Sequence, residues 1–328
     1  MAELGSHSEG GCCSPSRGAA SGMRAPSVAG ASSMPIAATA PASTAGMVLL
    51  GGGVFLIGSD DRFAYPDDGE TSREVEISPF MIDSCAVSNA NFAEFVAATG
   101  YVTEAEQFGW SFVFGGLLPE DFPPTRAVAA APWWRQVYEA CWRHPEGPQS
   151  DLDERADHPV VHVSFNDALR YCTWAGKRLP TEAEWEFAAR GGLAQAAFPW
   201  GDELEPSGEH RMNVWQGRFP NENTLDDEYY GTCPVEAFPP NGYGLYNTTG
   251  NVWEWAADRF DPAFRAHDRR TDPAGPPTGT RRVQKGGSHL CHESYCRRYR
   301  VAGRQGNEPD SSAGNLGFRC AADAPGQV

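Results

Sequence analysis

The sequence predicts an α+β fold that is rich in loops and holds little regular secondary structure. Its 36 Gly and 26 Pro among 328 residues punctuate the chain too often for long elements. Short strand-like and helix-like segments both occur in the first two-thirds of the chain, whereas from Phe198 onward periodicity fades into aromatic, turn-rich stretches. The length suits one large domain or two ordinary ones. A hydrophobic share of 41% with 10 Trp permits a sizeable core.

Residues 1–46 are almost wholly Gly, Ala, Ser, Pro and Thr. Such a segment buries too little apolar surface to offset its ordering entropy, so a disordered tail is expected. Met23, Met34 and Met47 are each possible starts. Met47 to Ile57 reads as a strand with a glycine turn, and Arg73 to Ile82 as another. A helix opens at Ser88, with Phe92, Phe95 and Val96 on its apolar face and Gly100 as its stop. A second opens at Ser164, with Asp167 three residues on and Gly176 as its stop. Both units space Val-Ser and the terminal Gly identically, which fits a faint internal duplication or simple helix grammar. A third helix starts at Thr181, with Glu184 at the capping-box position, and ends at Gly191-Gly192. Between the first two helices, Glu104 to Asp157 is rich in Trp, Pro and Glu and reads as a long ordered excursion, suited to lining a groove.

A net charge of -17 argues against nucleic acid or an anionic membrane as partner, and would tolerate a basic peptide. The 9 Cys are an odd number, so they cannot all pair within one chain. None forms the Cys-x-x-Cys pairs of a structural zinc site. The most apolar run, Met47 to Gly58, is too short and Gly-rich to span a bilayer, and no basic segment leads into an apolar one as in a secretory signal. A cytoplasmic location is the expectation.

The late loops need some means of ordering. Asn247-Thr248-Thr249-Gly250-Asn251-Val252-Trp253-Glu254 offers amide, carboxylate and backbone oxygens of the kind Ca²⁺ prefers, and Asn213 with Asp227 could make a second site. Turn residues capping their own backbone explain the same composition.

The strongest candidate for chemistry is Arg282 to Arg300. Arg282 to Gln284 reads as a strand, and Gly286-Gly287-Ser288 as a sharp turn. Cys291 and Cys296 follow, with His292 beside the first. Two such cysteines can meet as a disulfide or as two thiolates on a soft metal. By spacing alone they can equally be buried small hydrophobes.

Arg178-Leu179-Pro180-Thr181-Glu182-Ala183-Glu184-Trp185-Glu186, Gly250-Asn251-Val252-Trp253-Glu254-Trp255, Gly286-Gly287-Ser288 and Asn315-Leu316-Gly317-Phe318-Arg319 recur in order. Together they resemble the sulfatase-modifying-factor family. The segment from Cys291 through Cys296 to Asp310-Ser311-Ser312 narrows the resemblance to its formylglycine-generating enzymes. It covers roughly Met47 to Asp323. The resemblance implies one catalytic domain over 47–324 with a C-type-lectin-like fold and a short C-terminal tail, 325–328. It implies an oxidase that uses O₂ to convert the cysteine of a Cys-x-Pro-x-Arg motif, in unfolded or nascent sulfatase polypeptides, to Cα-formylglycine.

By the same resemblance Cys291 and Cys296 are the catalytic pair and bind Cu(I), the soft ion thiolates select. Ser288 and His292 flank them and would position oxygen or solvent, while Trp253, Tyr295 and Asn315 match positions lining the site. Structural Ca²⁺ is implied at Asn213, Val214, Asp227 and Tyr229, and at Asn247, Gly250, Val252 and Glu254. Of two disulfides in secretory relatives, one matches Cys172 and Cys320. The other falls on Ala189 and Val301, a loss that suits a reducing compartment. Cys85, Cys141 and Cys233 read as buried thiols. In the tail, Cys13-Ser14-Pro15-Ser16-Arg17 itself fits Cys-x-Pro-x-Arg, which makes the chain's own tail a candidate substrate or competitor. Two rival readings are a non-catalytic binding module on the same fold and an iron-dependent sulfoxide synthase. The latter needs a histidine-bearing helical domain for which the chain lacks room.

Overall fold

The computed structural model describes residues 14–20, 43–65, 68–263 and 270–326. Its helices begin where local capping chemistry dictates. Ser88 accepts from Asn91 N–H ahead of Asn89–Thr99, and Gly100 ends that helix in the left-handed region at φ 65. Reciprocal capping boxes start Phe165–Trp174, from Ser164 and Asp167, and Glu182–Ala189, from Thr181 and Glu184. The first two helices meet through aromatic faces, with Phe92 stacked on Tyr171 at 5.9 Å and Phe95 edge-on to the same ring at 5.6 Å.

Glu182–Ala189 is buried along its whole length, so its three carboxylates each require a partner. Glu182 takes two hydrogen bonds from Arg304, at 2.6 and 2.9 Å. Glu184 takes two from Arg178, both at 2.7 Å. Glu186 bridges Arg190 at 2.7 Å and Lys285 at 2.9 Å. Lys285 closes the strand that leads into the Gly-Gly-Ser turn, so this helix anchors the approach to the cysteine loop.

A four-stranded sheet carries that approach. Its order is Arg304–Asn307, Arg282–Lys285, Trp253–Arg259 and Leu316–Gly317, with the last pair parallel and the others antiparallel. A second sheet joins the two ends of the domain: Phe80–Asp83 lies between Met47–Leu50 and Ala321–Asp323. The strand expected over Arg73 to Ile82 is two strands. Arg73–Ile77 pairs with Gly53–Ile57, and Phe80–Asp83 leaves for the second sheet. Pro79 lies between them and has no N–H to donate to a ladder. Met47 to Ile57 likewise divides at Gly51-Gly52, where Gly52 has φ 67 and a Cβ would fall 2.1 Å from the Ile77 carbonyl.

The excursion after Gly100 holds a capped turn of helix, Glu104–Phe108, and a sheet ordered Trp110–Phe114, Ala131–Tyr138, Arg126–Val128. Among the tail residues expected to be disordered, 14–20 and 43–46 are described, and Ser14 and Arg17 are buried against the domain. An arginine that finds both aromatic faces and carbonyl acceptors supplies the ordering energy that Gly, Ala and Ser lack. The rest of that tail, with Cys13, Met23 and Met34, lies outside the described residues. No helix among the described residues is long and apolar enough to cross a membrane.

Candidate active site at Cys291 and Cys296

The strand Arg282–Lys285 ends in two glycines with positive φ, Gly286 at 93 and Gly287 at 73. A Cβ on Gly287 would lie 2.7 Å from the Tyr299 Cα, so the turn needs glycine for its conformation and for its closeness to a neighbouring backbone. Two tight turns follow. Cys291 N–H donates to the Ser288 carbonyl at 2.8 Å, and Cys296 N–H to the His292 carbonyl at 2.8 Å. They bring the two sulfurs to 3.3 Å without a disulfide bond, buried in the main apolar cluster with Trp253. Ser288 N–H points at the Cys291 sulfur at 3.4 Å. Burial and the neighbouring Cys296 sulfur push the Cys291 thiol well above its ordinary pKa, while the Ser288 contacts pull it down.

Most of the expected site residues converge here. Asn315 Nδ2 donates to Ser288 Oγ at 2.9 Å, and Trp253 N–H donates to the Asn315 carbonyl at 2.8 Å. Tyr295 stacks on Phe219, centroids 4.4 Å apart, and meets Trp133 edge-on at 5.4 Å. His292 contributes its carbonyl to the cysteine turn, and its ring Nδ1 lies 2.8 Å from Ser294 Oγ. A cavity of about 620 Å³ opens beside the pair, lined by Cys291, His292, Tyr299, Trp215, Gln216 and His210 among others. Sequence reasoning missed Tyr299, whose phenol burial and the Cys291 charge push upward in pKa. Its aromatic, polar-tipped side chain among charged neighbours in Arg297 to Arg300 was the available signal.

The donor set suits a soft cation. Two thiols in an apolar setting, both free to lose their protons on coordination, are what such an ion selects. Oxygen sites for a hard cation are present in part. Asn213 Oδ1 and Asn247 Oδ1 are buried with no hydrogen-bond partner, as an amide oxygen awaiting a cation would be. Asp227 is buried and accepts from Val214 N–H at 3.1 Å and Tyr229 N–H at 3.0 Å, and burial raises its pKa. The two loops touch: a Cβ on Gly250 would fall 2.5 Å from the Asn213 carbonyl. Glu254 fits less freely, because its carboxylate already accepts from Arg319 and from Trp185 Nε1 at 2.7 Å. Val252 is buried beside it.

Cys172 and Cys320 face each other with sulfurs 3.6 Å apart and are not bonded. Ala189 and Val301 meet in one apolar cluster with Trp185, so packing replaces a cross-link there. Cys141 and Cys233 are buried, while Cys85 is half-buried.

A family model described as "Sulfatase-modifying factor enzyme 1-like domain" matches residues 33–324. The chain belongs to this sulfatase-modifying-factor family. It is 61% identical over 283 residues to the formylglycine-generating enzyme of Thermomonospora curvata, covering 85% of this chain and 93% of the relative. It is also 48% identical over 285 residues to the inactive C-alpha-formylglycine-generating enzyme 2 of Mus musculus, covering 85% and 86%. The solved structure of PvdO from Pseudomonas aeruginosa shares the family fold with a TM-score of 0.60 at 24% identity, over 85% of this chain and 94% of that one. That likeness supports the single, loop-rich α+β domain and no more.

Proposed function

We propose that this family member is a formylglycine-generating enzyme, a copper-dependent oxidase that activates sulfatases by converting the cysteine of a Cys-x-Pro-x-Arg motif to Cα-formylglycine. The observation that carries the reading is the pair of buried, unbridged thiols 3.3 Å apart beside an open cavity. Cu(I) held by Cys291 and Cys296 would supply the route from thiol to O₂. Conversion of CH₂SH to CHO with release of hydrogen sulfide takes two electrons from the substrate. Reduction of O₂ to water takes four, so an external two-electron donor such as a thiol completes the balance. Ser288 is held by Asn315 against the pair and orients oxygen or solvent by its hydroxyl. His292 lines the cavity and does the same from its mouth. Of the three residues expected at the substrate, half-buried Tyr295, stacked on Phe219, would meet it directly, while Trp253 and Asn315 are fully buried and would act from behind Ser288.

Structural Ca²⁺ at the Asn213–Tyr229 and Asn247–Glu254 loops accounts for the orphan amide oxygens there. A cytoplasmic setting suits seven described cysteines that are all free. A binding module without turnover is the second reading, favoured by the existence of an inactive relative at 48% identity.

The test is oxidation of a short peptide containing Cys-Thr-Pro-Ser-Arg in air, with a thiol reductant, with and without Cu(I). A copper-dependent mass loss of about 18 Da, for CH₂SH becoming CHO, establishes the oxidase. Unchanged peptide under every metal condition establishes the binding module.

A further inference from the structure

Four residues of the tail, Ser14 to Arg17, lie in a surface groove formed by Asn307–Ser312, Phe108 and Trp110. The Arg17 guanidinium sits 4.1 Å from the Phe108 ring centroid and 4.3 Å from that of Trp110. It donates to the carbonyls of Asp310 at 2.9 Å and Trp110 at 3.1 Å, and to Ser312 Oγ at 3.0 Å. Its backbone N–H donates to Ser311 Oγ at 3.0 Å. At the other end, Asn307 Nδ2 donates to Ser14 Oγ at 2.9 Å and to the carbonyls of Ser14 and Pro15 at 3.3 Å. Gly18 N–H donates to Glu308 at 2.9 Å. Planar, forked donation between aromatic faces selects arginine over lysine.

One segment of chain links this groove to the cysteine turn. Ser312 precedes by three residues Asn315, which holds Ser288. Ser312 Oγ also lies 2.8 Å from Ser111 Oγ, which contacts His162 Nδ1 at 2.8 Å, so the arginine end rests on a buried polar network. The residue before Ser14 in sequence is Cys13, so the docked stretch is the x-Pro-x-Arg part of a complete Cys-x-Pro-x-Arg match. Cys13 lies outside the described residues.

We propose that Ser14–Arg17 is a tethered occupant of the substrate groove, which a sulfatase segment carrying Cys-x-Pro-x-Arg must displace. The proposal rests on the oxidase reading above for the identity of the groove. Tethering makes the docking intramolecular, at an effective concentration up to the order of mM for a short linker, so even a weak contact competes with a dilute substrate.

Two measurements on the full-length chain test it. Amide hydrogen exchange of residues 14–20 is slowed in the native protein and returns to the free-peptide rate in Arg17→Ala. Binding of the non-oxidisable peptide Ser-Thr-Pro-Ser-Arg, followed by calorimetry, tightens by about tenfold in Arg17→Ala and in a chain lacking residues 1–20. Exchange at the free-peptide rate in the native protein overturns the docking. Equal peptide affinity in all three proteins overturns the competition and leaves the oxidase reading intact, whereas no peptide binding in any of them overturns both.

Discussion

Glu254 and Arg319 form a fully buried two-point ion pair, with Arg319 Nε donating to Glu254 Oε2 at 2.7 Å and Nη2 to Oε1 at 2.8 Å. Trp185 Nε1 adds a third hydrogen bond to the same carboxylate at 2.7 Å. Three of the family's motifs therefore converge on one charge. Arg319 Nη2 also donates to the Tyr246 carbonyl at 2.9 Å, which ties the pair to the Asn247–Glu254 loop. Removing one partner leaves the other charged in the core. Arg319→Met is expected to cost about 3–5 kcal/mol of stability, read as the urea midpoint, and Arg319→Met with Glu254→Gln to recover part of it.

Gly287 tests the turn that presents the cysteines. Gly287→Ala forces a Cβ into the left-handed region and against the Tyr299 backbone. The expected result is a loss of at least about 1–2 kcal/mol in urea unfolding, together with a lower kcat for the Cys-Thr-Pro-Ser-Arg peptide, because the Cys291 turn must shift.

His162 gives the protein an acid limit. It is fully buried, with Nε2 2.7 Å from the Pro145 carbonyl and Nδ1 2.8 Å from Ser111 Oγ, and burial lowers its pKa from 6.5 to about 4. The unfolded chain therefore binds a proton between those values while the folded one does not. Stability is full above pH 6.5 and falls as pH drops toward 4, by about 3 kcal/mol for this group. In His162→Gln the slope of unfolding free energy between pH 6.5 and 4 is expected to flatten.

Calcium removal tests the two loops. With Ca²⁺ at about a hundred times its dissociation constant, chelation is expected to lower unfolding free energy by about 2.7 kcal/mol for each occupied site, seen as a drop in Tm. Asp227→Asn should reduce that response, and Asn247→Ala should do the same from the other loop.

How legible the fold was depended on how local the physics was. Ser88, Ser164 and Thr181 announced their helices because a cap is decided within four residues. Thr103 and Glu106 carry the same signal, but the helix they begin is only five residues long and shows no apolar periodicity of its own. Strands were harder. Trp253–Arg259 pairs with residues far along the chain, and nothing in its own sequence says that Leu316 lies beside Trp253. At the candidate site, the Gly-Gly-Ser turn and the spacing of Cys291 and Cys296 were readable, while the 3.3 Å between their sulfurs depends on packing. The commitment of Glu254 to Arg319 and Trp185 was not readable, because no spacing rule connects positions that meet only in the folded core. Arg17 was readable as part of a motif, and its groove was not.

The most direct test of the account is a competition titration of the reduced protein with Cu(I) and a chromophoric chelator. If Cys291 and Cys296 form the reactive centre, the native chain takes up one tightly held equivalent, and Cys291→Ser and Cys296→Ser each lose it. Cys85→Ser, at a half-buried thiol elsewhere, retains it. Equal uptake by the native chain and the Cys291 and Cys296 variants, or no tight uptake by the native chain, would contradict the account.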